Sequence, residues 1–341
     1  MKKIRFGLAG VGEIMWEFHL PVMVKNPRIE LVAACSLHAS SVERIARQFG
    51  IPKTYTDFNR MADDADVDAV LVSVPNNLHA AISVKMLESG KHVLCEKPMA
   101  RTAAEAETIL AAAEAADRKL AIAHPWRCDQ DCAWLREVIQ AGRLGNVFKI
   151  SGHAVITGSS PAAGNWRCDL EAAGGGALMD LGIHVMDTIS FLFEDRLRPT
   201  QVRAHKGNHF SESAVEDTAT VLIEFQDGML AMIDSGWHHK FQNSPHGALE
   251  VFGTEGYART FPTELHCTLD GAWGCYRPSL HPERPHIDAS MYAAQMDSFI
   301  DCVLSGSRPA CDGRQGLRNM ILIDAAYRSA RTGTAVPVQG Y

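Results

Sequence analysis

Short apolar runs alternate with helically spaced stretches through the first third of the chain. Ile4–Ala9, Glu30–Cys35, Ala69–Val74, His92–Cys95 and Leu120–Ile122 are too short for helices and apolar on successive positions, as strands covered on both faces are. Between them, Trp16–Val24, Ser41–Phe49, Ala80–Ser89 and Ala103–Asp117 read as helices. This β-α repetition predicts a parallel sheet with helices on both sides. After Ile122 the pattern changes. A helix at Asp131–Ala141 is followed by longer runs at Val147–Ile156, Val202–His205, Ala219–Phe225, Met229–Ser235 and Leu249–Phe252, with turn signals at Gln226-Asp227-Gly228 and Gly253–Gly256. These predict an open, mostly antiparallel sheet, and helices at Ala289–Leu304 and Arg314–Ala330 close the chain. The expected class is α/β, with domains at 1–122 and 123–341.

One stretch breaks the apolar pattern in a telling way. Gly174–Asp187, GGGALMDLGIHVMD, runs three glycines into a helix that is apolar nearly all round except for Asp180, His184 and Asp187. Such a helix should be buried. Steps of four and three place the three titratable groups on one stripe. An isolated pair of this kind is often an ordinary helix contact. Here the bare glycine backbone lets something approach closely and costs order that a purely structural helix need not lose, which favours a working pair, with His184 moving a proton and Asp180 fixing its tautomer.

The N-terminal strand runs into Gly10-Val11-Gly12-Glu13-Ile14-Met15, nearly G-x-G-x-x-G, followed by a helix. Strand, glycines and helix in that order predict a pyrophosphate seated at a helix N-terminus, the mark of a dinucleotide-binding Rossmann domain, although Met15 stands where a third glycine is usual. The second strand ends at Ser36 rather than at an acid that would hold a ribose 2′-hydroxyl. Serine repels no phosphate, and His38 and Arg44 follow, so NADP is favoured over NAD. Two more strand ends carry polar residues, Ser73-Val74-Pro75-Asn76-Asn77-Leu78-His79 and Cys95-Glu96-Lys97-Pro98. Ligands of open α/β sheets sit beyond such ends. His79, His238 and His239 read as turn or surface residues on pattern alone.

Length and charge narrow the classes. With 341 residues, 46% of them hydrophobic, the chain is long for one core. A net charge of -7 without a Lys/Arg cluster argues against nucleic acid or an anionic membrane as partner and for a small molecule. No apolar run is long enough to span a bilayer and none opens the chain as a signal peptide would, so a cytoplasmic protein is expected. Nine cysteines without paired spacing read as reduced thiols. His124, Cys128 and Cys132 are spaced by fours, but without a C-x-x-C pair no metal is expected. The two runs Ala219–Phe225 and Met229–Ser235 alternate only loosely, which predicts a sheet face covered by a partner subunit in a homo-dimer or homo-tetramer.

Together, Gly10–Met15 with His19-Leu20-Pro21, Cys95-Glu96-Lys97-Pro98, Gly174–Asp187, Val215–Thr220, Phe252–Gly256 and Tyr327–Gly333 resemble the Gfo/Idh/MocA oxidoreductase family, over essentially the whole chain. The resemblance implies a Rossmann domain, a second α/β domain for substrate and oligomer contacts, and oxidation or reduction of a sugar, polyol or related alcohol by NAD(P). It implies Lys97 as catalytic lysine and Asp180 with His184 as the acid/base pair. It places Gly10, Gly12, Glu13, Ile14, Ser36, His38, Ser73, Pro75, Asn76, His79, Glu96 and Lys97 at the cofactor. His124, Trp126, Arg127, Trp166 and Arg167 are placed at the substrate with Asp180 and His184. A dinucleotide-binding regulator without turnover and an NAD-dependent glycosidase stay open as alternatives.

Overall fold

A computed structural model describes residues 3–157, 161, 164–194, 196–240, 247–279 and 288–341. The chain divides into two compact units, residues 1–125 with 288–317, and residues 126–287 with 318–341. The first contains strands β1 (Ile4–Ala9), β2 (Ile29–Cys35), β3 (Lys53–Tyr55), β4 (Ala69–Val72), β5 (His92–Glu96) and β6 (Leu120–Ala123), in the order β3-β2-β1-β4-β5-β6. Every ladder is parallel. β4 is buried at all four positions, which is why its sequence shows an unbroken apolar run rather than alternation. This strand order reverses direction between β1 and β4, and the Ser73 N–H reaches the Ala9 carbonyl across that point at 2.8 Å.

The helix Ala289–Ser305 belongs to this first unit, not to the second domain as the division at residue 122 had it. Met296, Phe299 and Ile300 join the same core cluster as Phe6 and Leu8, and the Phe6 and Phe299 rings meet at 6.0 Å. An amphipathic helix near the end of the sequence carries no local sign of which core it will join.

The second unit contains β7 (Val147–Val155), β8 (Pro199–Gly207), β9 (Thr218–Phe225), β10 (Leu230–Gly236), β11 (Ala248–Gly253), β12 (Gly256–Arg259), β13 (Glu264–Leu269), β14 (Ala272–Tyr276) and β15 (Val336–Pro337). They form one sheet ordered β14-β13-β12-β11-β7-β10-β9-β8-β15. Only β7 and β10 pair in parallel. In β9 burial alternates strictly, with Ala219, Val221, Ile223 and Phe225 buried, so the two faces are better separated than the apolar content suggested. The sequence pattern did not show β3, β12, β13, β14 or β15. These are short or carry polar residues at positions that pattern reading takes for loops. No helix among the described residues is long and apolar enough to cross a membrane.

Candidate functional site

The chain leaves β1 through Gly10, whose φ of +92° is a conformation most side chains avoid. A Cβ there would fall 2.0 Å from the Ser73 carbonyl oxygen. At Gly12 a Cβ would meet nothing within 4 Å, so open space lies over the first helical turn, where Glu13 is exposed and Ile14 half-buried. Met15 is fully buried in the core, and the turn that accommodates it, Met15–His19, is π-helical. Ser36, just beyond β2, is half-buried with its N–H on the Tyr55 carbonyl, and its Oγ accepts from the His38 N–H at 3.3 Å. His38 is exposed, and Arg44 lies over the Trp16 ring at 5.1 Å. No carboxylate stands at the Ser36 position.

Beyond β4, Pro75 caps the helix Asn76–Glu88, so Asn76 and Asn77 form its first turn instead of a loop ahead of it. Asn77 Oδ1 is shielded from solvent without a hydrogen-bond partner among the described residues. His79 is 1% exposed, which overturns its reading as a surface residue. Its Nδ1 faces the Pro98 carbonyl at 2.8 Å and its Nε2 the Val74 carbonyl at 2.9 Å, and burial holds its pKa below the ordinary value. The ring ties the loop after β4 to the turn after β5.

That second turn is Glu96-Lys97-Pro98. Glu96 was expected at the cofactor, but its side chain turns inward, where Oε1 lies 2.6 Å from His19 Nε2 and Oε2 accepts the Lys97 backbone N–H at 3.1 Å. Burial alone would raise its pKa, but the His19 hydrogen bond and neighbouring positive charge outweigh it and hold the carboxyl below its ordinary range. Lys97 is half-buried. The peptide between Lys97 and Pro98 is cis.

In the second unit two of the three glycines ahead of Asp180 have an internal cause. A Cβ on Gly175 would fall 1.9 Å from the Tyr327 hydroxyl, and one on Gly176 would fall 1.9 Å from the Glu216 carbonyl oxygen. The bare backbone at these two positions therefore admits the protein's own Tyr327 and Glu216. Glu216 Oε1 accepts the N–H groups of Gly176 and Leu178 at 3.0 and 3.2 Å and the Tyr327 hydroxyl at 2.7 Å. A carboxylate thus caps the turn that launches the helix.

The launch itself is irregular. Leu178–Gly182 is π-helical and continues as the α-helix Ile183–Leu192. Asp180 Oδ2 accepts the Trp237 indole N–H at 3.1 Å. His184 is 8% exposed and stacks on Trp126, ring centroids 4.9 Å apart and planes 21° apart. Asp187 departs from the expected stripe. It is fully buried, and its carboxylate accepts from Arg127 Nε at 2.7 Å, Arg127 Nη2 at 2.8 Å and Asn319 Nδ2 at 2.7 Å.

The same pair engages Arg127, which the resemblance placed at the substrate. Its guanidinium is directed at Asp187 and over the Phe191 ring at 5.8 Å, with 5% of the residue exposed. Removing one partner of such a buried pair costs about 3–5 kcal/mol, because the other charge is left without compensation. His124, 1% exposed, follows β6 directly, and the chain then makes a 3-10 turn at Pro125–Cys128 before Asp129 caps the helix Gln130–Gln140. That break keeps His124, Cys128 and Cys132 off a common helical face. Trp166 and Arg167 lie in a short 3-10 turn capped by Asn165, half-buried, with the guanidinium 4.8 Å over the indole. All nine cysteines are free thiols.

The sequence reading did not single out Trp237, and quoted His19, Val215–Thr220 (with Glu216) and Tyr327–Gly333 only as matching stretches. A donor-only indole that is 1% exposed demands an acceptor, but nothing near Trp237 in sequence says that the acceptor is Asp180.

Residues 4–124 match the family model described as "Oxidoreductase family, NAD-binding Rossmann fold", and residues 132–259 match the "GFO/IDH/MocA C-terminal domain". The chain is 29% identical over 341 residues to the 1,5-anhydro-D-fructose reductase of Ensifer adhaerens, covering 98% of each. It is 31% identical over 329 residues to the rhizopine catabolism protein MocA of Rhizobium meliloti, covering 96% of this chain and 95% of that one. A crystal structure of the aldose-aldose oxidoreductase from Caulobacter crescentus complexed with glycerol superposes with a TM-score of 0.85 at 28% identity, covering 98% of this chain and 100% of that one. With a parallel 3-2-1-4-5-6 sheet, a mostly antiparallel second sheet and matches along both, the chain belongs to the GFO/IDH/MocA family of NAD(P)-dependent oxidoreductases.

Proposed function

We propose that this protein oxidises or reduces a hydroxyl or carbonyl carbon of a sugar, polyol or related compound, with NADP favoured over NAD. The observation that carries the reading is the half-buried Lys97 at the C-terminal end of β5, on a turn tied down by Glu96 and His79, beside the strand ends at Gly10–Gly12 and Ser73–Pro75. Full-length relatives named as a reductase of 1,5-anhydro-D-fructose and an inositol 2-dehydrogenase support the substrate class.

The first unit fits a dinucleotide. Open space at Gly12 over a helix N-terminus suits a pyrophosphate, and the unpartnered Asn77 Oδ1 suits a ligand donor. Gly10, Gly12, Glu13, Ile14, Ser73, Pro75 and Asn76 would hold the cofactor, with Ser36 and His38 at its ribose. When bound, the nicotinamide supplies or accepts the hydride. Lys97 stabilises charge on the substrate oxygen. His184 carries the proton that this oxygen loses or gains, and Asp180 orients the ring. Trp126 holds the imidazole plane, and His124, Trp166 and Arg167 contribute to substrate binding.

Screening polyols, aldoses and keto-sugars with each cofactor, followed at the nicotinamide absorbance, tests the assignment. Turnover of at least one compound is expected, whereas sugar release without cofactor reduction would point to the glycosidase chemistry instead. Titration of both cofactors is expected to show tighter binding of NADP(H), since Ser36 presents no carboxylate to repel a 2′-phosphate and His38 is free to approach it. Tighter NAD(H) binding together with faster NAD(H) turnover overturns that preference.

On the outer face of the second sheet Leu222 pairs with Met232 and Phe252 with Tyr257, and the exposed Leu230 lies between Glu224 and Lys149. A homo-dimer or homo-tetramer assembled on that face is expected, and light scattering at micromolar concentration checks it. A strict monomer would rule it out.

A further inference from the structure

A fully buried imidazole must satisfy at least one ring nitrogen or pay for its desolvation. His19, on the π-helical turn that follows Gly12, meets Glu96 with its Nε2 at 2.6 Å, while its Nδ1 has no hydrogen-bond partner among the described residues. The Tyr292 ring stands edge-on to it at 5.2 Å, and Phe18 stacks on Tyr292 at 4.8 Å, so the helix Ala289–Ser305 walls the imidazole in. The titratable groups around the pair are Glu96 and Tyr292 at the ring, with Lys97 and His79 on the far side of the carboxylate.

Glu96 is a bridge. One oxygen meets the ring, and the other accepts the N–H of Lys97, the backbone from which the lysine side chain departs. The turn has a second tie in His79, but that one reaches Pro98. Of these two ties, the one through His19 and Glu96 is the one that reaches the Lys97 N–H. We propose that His19 is a positioning residue for Lys97, acting through Glu96 to fix where the lysine side chain starts and to keep a carboxylate beneath it. The proposal rests on the reading of Lys97 as the substrate-facing lysine. Without the imidazole, Glu96 is a buried carboxylate lacking its best donor. It then takes a proton or swings away, and the charge-assisted hydrogen bond to the Lys97 N–H weakens in either case.

The test uses the full-length protein with His19→Leu, His19→Gln and Glu96→Gln. The first readout is reductive methylation of Lys97, quantified by mass spectrometry against the other lysines, which needs neither substrate nor cofactor. In His19→Leu the Lys97 labelling rate is expected to change about threefold or more with the other lysines unmoved, as a local change of lysine environment requires. His19→Gln, whose amide can still donate to Glu96, is expected to restore it. Turnover should follow the same order, kcat falling about 10- to 100-fold in His19→Leu with KM nearly unchanged, the loss expected from a misplaced group. A folded His19→Leu protein with wild-type labelling at Lys97 overturns the proposal. If that variant does not fold, Glu96→Gln decides, and wild-type labelling there overturns it equally. Normal turnover in Lys97→Met would defeat the reading of the lysine while leaving the labelling result to judge the positioning.

Discussion

Lys97→Met is expected to lower kcat about 1,000-fold, the loss that follows removal of one preorganised electrostatic donor, while the dinucleotide dissociation constant stays within about threefold. Methionine nearly preserves the length of the side chain and keeps the backbone N–H that Glu96 Oε2 accepts at 3.1 Å, so the turn after β5 should survive. What disappears, on the proposed assignment of Lys97, is the positive charge that stabilises the substrate oxygen. That charge matters most when the oxygen carries negative charge in the transition state, so the effect should fall on kcat and leave binding of the dinucleotide nearly untouched. Comparing kcat with cofactor titration in the same preparation separates the two. Near-normal turnover would remove Lys97 from the chemistry, and a large loss of cofactor affinity would mean that it serves the dinucleotide instead.

The sheet of the first unit was legible because parallel strands buried on both faces leave apolar runs that little else produces, and the order of glycines, strand ends and helices placed the cofactor loops with it. The three-residue β3 and the polar β13 were too short or too mixed to register. The return of Ala289–Ser305 to the first unit depends on Phe299 meeting Phe6, a contact between distant parts of the chain that periodicity cannot report. At the candidate site, residue identity was legible but partnership was not. The spacing of Asp180, His184 and Asp187 suggested one working group. Asp187 instead neutralises Arg127 in the interior, and Asp180 finds a tryptophan 57 residues away. The glycine run was noticed for a sound reason, close approach, yet what approaches is Tyr327 and the Glu216 backbone. The sequence told that space was needed there, and only the fold could tell for whom.

His184 is expected to carry the proton, with Asp180 acting through it. One helical turn separates the two; Trp237 donates to Asp180 Oδ2, and Trp126 stacks on the face of the His184 ring. Asp180→Asn should keep the fold and cofactor binding, because the amide oxygen can still accept from the indole. It should slow kcat by about tenfold or more, since an amide orients a ring but does not stabilise the imidazolium that forms during transfer. His184→Ala should lose about 100- to 10,000-fold, the range for a removed general acid or base. The alanine also removes the face on which Trp126 stacks, so thermal unfolding of each variant must be followed alongside kcat. The deciding measurement is the double mutant. Groups that act as one unit are strongly non-additive, so adding Asp180→Asn to His184→Ala should cost little more than His184→Ala alone. If the two losses simply multiply, the aspartate acts on the substrate independently of the imidazole, and the assignment of Asp180 as the residue that orients His184 is wrong.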